Sequence, residues 1–565
     1  MSAGVVTAGR NRRRGRHTRD RGDGPPAHIR AARALIPVAF LQRDVTTEGG
    51  ARNPGAPAVP RADDRDACVV WHRRHLRVPD HPAVTRATAE YDVVCPVFVF
   101  DPRFYGDEAL ACDARRRFLH ESLTDLAEQY NDRDTALVFG HGDPVDVLAT
   151  FVDRGWDVLA TADATSRYGA RRDDRAADRL GVTFVDDDGL RRAVDDPREG
   201  WGDHVESYFR SEPTEPAPSG FGAHGVESAV GVDAVEERHD VRPAKESVPV
   251  GGRSPALARL DRFLDRIHEY PGSISPPAAA ETGASRLSAY LRFGCLSVRE
   301  AFRRLERDAP EGRGKELFRD RLYWNRHYTQ KLQDWPGWTE RAVNPVFRGL
   351  YRETHDPELV AAWREGRTGY PMVDASMRCL RETGWLNFRM RAMCASFFGY
   401  VLEQPWRIGA DHFYEHLIDA DPAINYTQWQ YQTGLTGIAA VRVYNPRKQV
   451  RENDPDGEFV HRWVPELAAV PPDHLDEPEK LPLALQEELG VRIGEDYPRP
   501  VVEFEAKRRE ARERFSALAD RASEAATDPA IRRRLSLSRR GRGPDREDAD
   551  DAPEASGQAS LDAFE

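Results

Sequence analysis

The chain holds 565 residues, 40% of them apolar, 31% charged and 9% aromatic, with 11 Trp and a formal charge of −12. At roughly 100–200 residues per domain this is material for two to four domains with real cores. The longest apolar run, residues 34–41, is broken by Pro37 and falls far short of the ~20 residues of a membrane helix, so a membrane span is excluded. The 6 cysteines (Cys68, Cys95, Cys112, Cys295, Cys379, Cys394) show no CxxC and no metal-ligand spacing. No zinc site or disulfide framework is expected, and a reducing, cytoplasmic setting follows.

Residues 1–65 hold 13 Arg against 6 Asp/Glu, so the remaining 500 carry −19. Residues 1–66 show no apolar period and read as a disordered basic leader; the folded text begins abruptly at Cys68. Over 67–195, buried strands are expected at 68–71, 93–100, 136–139, 157–160 and 182–185, with helices at 115–129 and 144–153. Asp143-Pro144 supplies a capping carboxylate and a proline at the first helical position. Alternating strands and helices mean a doubly wound, Rossmann-like parallel sheet, but no GxGxxG follows the first strand, so an ordinary dinucleotide site is not supported. Residues 196–255 are rich in Glu, Pro, Gly and Ser and read as a linker. From 256 to 515 the text is helical and aromatic, with Met390, Met393, Phe397 and Val401 on one helix face. Residues 516–565 read as a disordered tail.

Specific motifs narrow the reading. Trp71-His72-Arg73-Arg74-His75-Leu76-Arg77 followed by Asp80-His81-Pro82 resembles the opening of the photolyase/cryptochrome family. Pro96-Val97-Phe98-Val99-Phe100-Asp101-Pro102 is similar to its second strand. Gly283-Ala284-Ser285-Arg286-Leu287-Ser288, Gly369-Tyr370-Pro371-Met372, Thr383-Gly384-Trp385 and Leu417-Ile418-Asp419-Ala420-Asp421 follow in the family's order. The resemblance spans about residues 68–505 and implies an α/β antenna domain followed by an all-α domain that holds FAD.

The same resemblance implies roles for individual residues. Tyr270, Ala284, Ser285, Arg286, Leu287 and Ser288 would hold the cofactor's phosphates, with helix N-terminal amides as donors. Asp419, Ala420 and Asp421 would meet the ring edge and the ribose or adenine, Arg391 would pair with Asp419, and Asn425 would face the flavin's N5. Trp429 and Trp406 match the first two members of an electron relay; Glu353 falls in the third place, with Tyr351 the nearest substitute. Trp324 matches one aromatic wall of the lesion cavity and Tyr431 stands where the family has another Trp. Arg321 replaces a carboxylate, Phe388 an Asn and Ala392 a Met; Arg389 matches a DNA-backbone arginine. Nothing after Cys394 supplies the four cysteines of the iron–sulfur branch.

The expected function is light-driven, FAD-dependent splitting of UV-induced pyrimidine dimers in DNA, by an electron from reduced flavin. The rival is a cryptochrome-like blue-light receptor without repair activity. A second antenna pigment is expected in the N-terminal domain, with folate, deazaflavin and flavin all open, as is the oligomeric state. Gln558, Leu561 and Phe564 match a pattern by which repair proteins dock on a sliding clamp.

Overall fold

The alternating apolar runs of the first half become a five-stranded parallel sheet. This is seen in a computed structural model that describes residues 55–535, apart from Asp64, Asp107, Glu108, Ala439 and Ala440. In chain order the elements are β1 (Ala67–His72), α1 (Pro82–Glu90), β2 (Val93–Phe100), α2 (Asp113–Asn131), β3 (Val138–His141), α3 (Pro144–Val152), β4 (Asp157–Thr161), α4 (Arg167–Leu180) and β5 (Thr183–Val185). The strand order is β3-β2-β1-β4-β5, and Val69 in the central β1 pairs with Cys95 on one side and Val158 on the other. Every residue of β1 and β2 is buried, as a parallel sheet covered on both faces requires. Asp143 caps α3 as expected, its Oδ1 accepting from the Val145 amide at 2.9 Å, with Pro144 at the first helical position.

Beyond the sheet the chain is helical: α5 (Trp201–Arg210), α6 (Val232–Arg238), α7 (Arg253–Asp265), α8 (Pro277–Gly283), α9 (Ser288–Phe293), α10 (Val298–Asp308), α11 (Arg313–Asp334), α12 (Pro357–Glu365), α13 (Pro371–Thr383) and α14 (Phe388–Ser396). A π turn over Phe397–Val401 separates α14 from α15 (Trp406–His416) and α16 (Pro422–Gln432). Then come α17 (Pro446–Asn453), α18 (Glu458–Trp463), α19 (Leu483–Leu489), α20 (Phe504–Ala525) and α21 (Pro529–Leu535). The fold is therefore an α/β parallel-sheet domain followed by a helical one.

Three segments differ from the sequence reading. The expected disordered leader is ordered over its last residues: the indole of Trp156 donates to the Pro60 carbonyl at 3.0 Å, the Ala62 amide to Arg154 O at 3.0 Å and the His141 amide to Gly55 O at 2.8 Å. These bonds run through backbone carbonyls and amides, which leave no periodic trace in side chains. The expected linker is a strap packed on the molecule, with Trp201, Val205 and Phe209 buried and Phe209 stacked on Phe302 at 4.7 Å. Its few apolar residues are diluted by polar text, and Val226 and Val235 are buried with them. The expected disordered tail also begins as helix, since α20 runs to Ala525 and α21 buries Ile531 and Leu535. Gln558, Leu561 and Phe564 lie outside the described residues.

The two domains are joined by buried polar contacts. Arg299 of α10 pairs with Asp80 after β1 and with Asp187 at 2.8 Å. Arg77 Nη1 donates to Gly294 O at 2.8 Å, and Arg115 Nη1 to Leu417 O at 3.2 Å. The last contact bears directly on the loop that carries Asp419. Among the described residues, no helix is long and apolar enough to cross a membrane.

Candidate active site

The loop between α15 and α16 is set by the backbone before any side chain acts. Gly384 ends α13 at φ +67°, and its carbonyl accepts from the Ile418 amide at 2.9 Å. A Cβ at Gly384 would sit 2.7 Å from Ile418 Cγ1, so only glycine lets the two segments close this far. Asp421 then opens α16: its Oδ1 accepts from the amides of Ala423 at 2.8 Å and Ile424 at 3.3 Å, with Pro422 at the first helical position. Arg292 donates to Ala420 O at 2.9 Å.

Asp419 lies two residues earlier, 8% exposed. Arg391 Nη2 donates to its Oδ2 at 2.9 Å, and Arg391 Nε to Leu386 O at 2.7 Å. The other oxygen, Oδ1, is buried without a hydrogen-bond partner, as is Oδ1 of Asn387, one residue before α14. Buried acceptors are rarely left unmade, so this floor is short of donors that a bound group would bring. A flavin ring edge, which carries both N–H and C=O groups, fits that demand. Asn425 follows Asp421 by one helical turn, and its Nδ2 donates to Ala410 O at 3.0 Å. Its amide nitrogen is engaged there, which leaves the oxygen as an acceptor.

The segment expected at the phosphates is only partly built of donors. Ala284 follows α8, Ser285 Oγ accepts from the Leu287 amide at 3.5 Å, and Ser288 begins the six-residue α9, which has no side-chain cap at its start. Arg286 holds a left-handed backbone (φ +51°), and its guanidinium lies 4.4 Å from the centroid of Trp385. Tyr270 is buried edge-on against Phe263 at 5.3 Å.

Of the residues expected in the relay, Trp429 is buried and Trp406 half-buried. Trp429 presses on α15 so closely that a Cβ at Gly409 would lie 2.3 Å from its ring. Trp406 packs beside Tyr351, which is buried beneath the guanidinium of Arg514 (5.1 Å to the ring centroid). Glu353 is exposed. Sequence reading missed Trp363, which is fully buried, 6.0 Å from the ring of Trp429 and 5.5 Å from that of His412. Its place six residues before Gly369-Tyr370-Pro371 was the available signal.

His412, Glu415 and His416 bring one ligand atom each within 4.8 Å of the others, the one such group among the described residues. Lys245 stands against it, its Nζ 3.4 Å from His416 Nδ1. Burial, then the charge of Lys245, pulls the His416 imidazole down to about 4, so it is neutral at pH 7.

The expected lesion side divides in two. Trp324 on α11 is half-buried and stacks on Tyr328 (5.5 Å, 23°), with half-buried Arg321 one turn earlier on the same helix. Phe388 is 38% exposed, and Arg389 Nη2 donates to Ser275 Oγ at 3.4 Å. Arg389 and Arg391 thus take different partners, one outside the floor and one in it. Tyr431, expected in the place of the second wall, is partly covered. It lies parallel to Trp338 (6.2 Å, 19°), and its hydroxyl is 3.5 Å from Leu535 O at the end of α21. A helix beyond the family motifs closes over it, which no motif could announce. Ala392 is buried.

Comparison with known proteins decides the lineage. Residues 68–190 match the family model described as DNA photolyase, and residues 318–517 that of the FAD binding domain of DNA photolyase. A cryptochrome DASH of Natronomonas pharaonis is 32% identical over 480 residues, covering 78% of this chain and 99% of that protein. The chain belongs to the photolyase/cryptochrome family. A deoxyribodipyrimidine photo-lyase of Halobacterium salinarum is also 32% identical, over 486 residues (78% of this chain, 97% of that one). Among solved structures, a Synechocystis cryptochrome superposes with a TM-score of 0.71 at 25% identity, covering 81% of this chain and 99% of that one. A class III photolyase of Agrobacterium tumefaciens gives 0.68 at 26% identity (82% and 98%). Repair enzymes and cryptochromes therefore stand at nearly the same distance from this photolyase-family chain.

Proposed function

We propose that this chain is a light-driven DNA repair enzyme that binds FAD in its helical domain and splits UV-induced pyrimidine dimers. The observation that carries the reading is the floor: a buried Asp419 with one oxygen held by Arg391 and the other unmade, beside an Asn425 whose amide nitrogen is already engaged. Bound there, reduced FAD would supply the light-excited electron that opens the dimer ring. The chain's own residues do the positioning. Arg391 holds Asp419 oriented, and its positive charge favours an electron-rich, anionic ring. Asn425 offers an acceptor to a protonated ring nitrogen. Tyr270, Ala284, Ser285, Arg286, Leu287, Ser288, Ala420 and Asp421 complete the cofactor's surroundings, and Trp429 and Trp406 lead electrons inward.

On the DNA side, Trp324 offers a stacking face for a flipped base. Arg321 donates to the carbonyl oxygens of the lesion, the exposed Phe388 lines the same cavity, and Arg389 takes a phosphate. An antenna pigment (folate, deazaflavin or flavin) would lie near the carboxyl ends of the strands, where Arg74, Asp163, Asp188 and Arg326 line a polar cleft between the domains. Clamp docking through Gln558, Leu561 and Phe564 rests on the sequence pattern alone.

The second reading, a cryptochrome-like receptor, is favoured by Arg321 in the place of a carboxylate and by the cover over Tyr431. One experiment separates them. Purified flavin-bearing protein is illuminated with dimer-containing single- and double-stranded DNA, and thymine absorbance is followed. Its return in either substrate is expected; no return in both, with the flavin still photoreduced, overturns repair in favour of sensing.

A further inference from the structure

The helix that covers Tyr431 lies beyond the family match, which ends at residue 517. Asp528 caps it, its Oδ1 accepting from the Ala530 amide at 2.7 Å. Ile531 and Leu535 of α21 pack into a cluster with Leu332, Trp335, Trp338 and Val343. Lys331 Nζ donates to Arg534 O at 3.1 Å, which ties the helix to α11 two turns beyond Trp324. So seated, α21 brings Arg532, Arg533 and Arg534 to one place. Two further arginines come from the loop after α11. The guanidiniums of Arg534 and Arg341 lie 4.5 Å and 5.6 Å from the centroid of Trp335, and Arg348 is exposed nearby.

Elsewhere on the surface many arginines are bridged to carboxylates, as in Arg304 with Asp308 at 2.6 Å and Arg492 with Glu495 at 3.2 Å. Among the described residues no carboxylate reaches ion-pair distance of Arg341, Arg348, Arg533 or Arg534; Glu340 next door is taken by Arg167 at 3.4 Å, and Asp528 is used as the cap. Burial, then Arg341 and Arg348, lowers the proton affinity of Arg534, the mark of like charges held together. In a chain of net −12, a local cluster of cations directs a polyanion to this point.

We propose that α21, with Arg341 and Arg348, forms an accessory grip for the phosphodiester backbone of DNA beside the Tyr431 wall. The inference rests on the reading of DNA as the partner and adds a site to it. The grip tracks backbone charge and carries no base sequence. It lies on the side of α11 that carries Trp324 and Tyr328, so DNA with a base near Trp324 would run its flanking phosphates past Arg341, Arg348 and Arg533.

The test is the salt dependence of binding to undamaged duplex, read by fluorescence anisotropy on the flavin-bearing protein. Each arginine that meets a phosphate contributes about 0.9 to the slope of log K against log salt. The triple variant Arg341→Ala/Arg348→Ala/Arg533→Ala should therefore be shallower than the native chain by about 2.7, with the flavin spectrum unchanged. Arg492→Ala, an arginine already paired, should leave the slope as it is. An unchanged slope in the flavin-bearing triple variant overturns the grip while leaving the DNA reading intact. Absence of salt-dependent DNA binding by the native chain overturns both. Should the triple variant lose flavin, Arg533→Ala alone, at an exposed position, decides by a change of about 0.9 or none.

Discussion

The floor formed by α14, α15 and α16 and the rim formed by α11, Tyr431 and α21 follow opposite rules. On the floor the charged groups are matched, the half-buried Arg391 to the buried Asp419 and Arg292 to the Ala420 carbonyl, and what is left over is an acceptor. On the rim Arg341, Arg348, Arg533 and Arg534 have no carboxylate at ion-pair distance among the described residues, and one aromatic wall is half closed by α21. A cofactor of fixed shape imposes the first pattern. The second can vary with the partner, and 32% identity both to a cryptochrome DASH and to a photo-lyase leaves that partner open.

The largest expected break falls on the floor. Asp419→Asn keeps the shape and removes the charge, leaving Arg391 without its counter-ion next to the ring. Breaking a largely buried pair costs about 3 kcal/mol or more, so FAD affinity should fall by over a hundredfold. The protein should purify nearly colourless, and titration with FAD by fluorescence quenching measures the loss. Retention of flavin at native affinity would place the ring elsewhere.

The rim should respond less. Arg321→Glu removes a charge-assisted donor and puts a carboxylate in its place. If Arg321 meets the lesion's carbonyl oxygens, affinity for dimer-containing over undamaged DNA should drop by about tenfold, the value of one such bond. A gain in lesion affinity would mean instead that the rim has lost a carboxylate it once used, and would favour the receptor reading.

Between floor and rim lies Trp429, whose approach depends on Gly409. Gly409→Ala drives a methyl to within 2.3 Å of the indole. Overpacking of this kind costs about 1–3 kcal/mol, seen as a lower midpoint in thermal unfolding, and if Trp429 leads electrons to the flavin as proposed, it should also slow photoreduction.

These contrasts also mark what could be read in the sequence. Asp419, Asp421, Arg391 and Asn425 were named through the ordered motifs of the family resemblance, and the pair it implied between Arg391 and Asp419 is present at 2.9 Å. The sheet was legible because its strands are buried on both faces and therefore continuously apolar. The helix α4 was not named beforehand, since of its 14 residues only Gly169 and Ala176 are buried and no apolar stripe exists to find. Trp363 was hidden for the converse reason: one Trp in a helical stretch does not tell which ring it will meet. The strap at 201–210 and α21 were missed because each carries few apolar residues, and it is the partners far away in the chain, Phe302 and Trp335, that make them count.

The smallest effect is one of pH, and it concerns the contact beneath the floor. His416 closes α15 just before the Asp419 loop, neutral in the fold with its imidazole near 4 against an ordinary value of 6.5. Its folded form therefore takes up a proton less readily than the unfolded chain. Above pH 6.5 both states are neutral and stability is at its full value; as pH falls from 6.5 towards 4 the unfolded chain binds the extra proton and stability declines. One such group changes the free energy by at most about 1.4 kcal/mol per pH unit. His416→Gln removes this site, so its thermal midpoint should fall less steeply between pH 6.5 and 5 than that of the native chain. Other buried imidazoles, such as His72 at about 3, keep a residual slope. Parallel slopes for the two proteins would mean that Lys245 and the burial around His416 do not hold the imidazole neutral, and would move the acid sensitivity of the fold to the sheet domain.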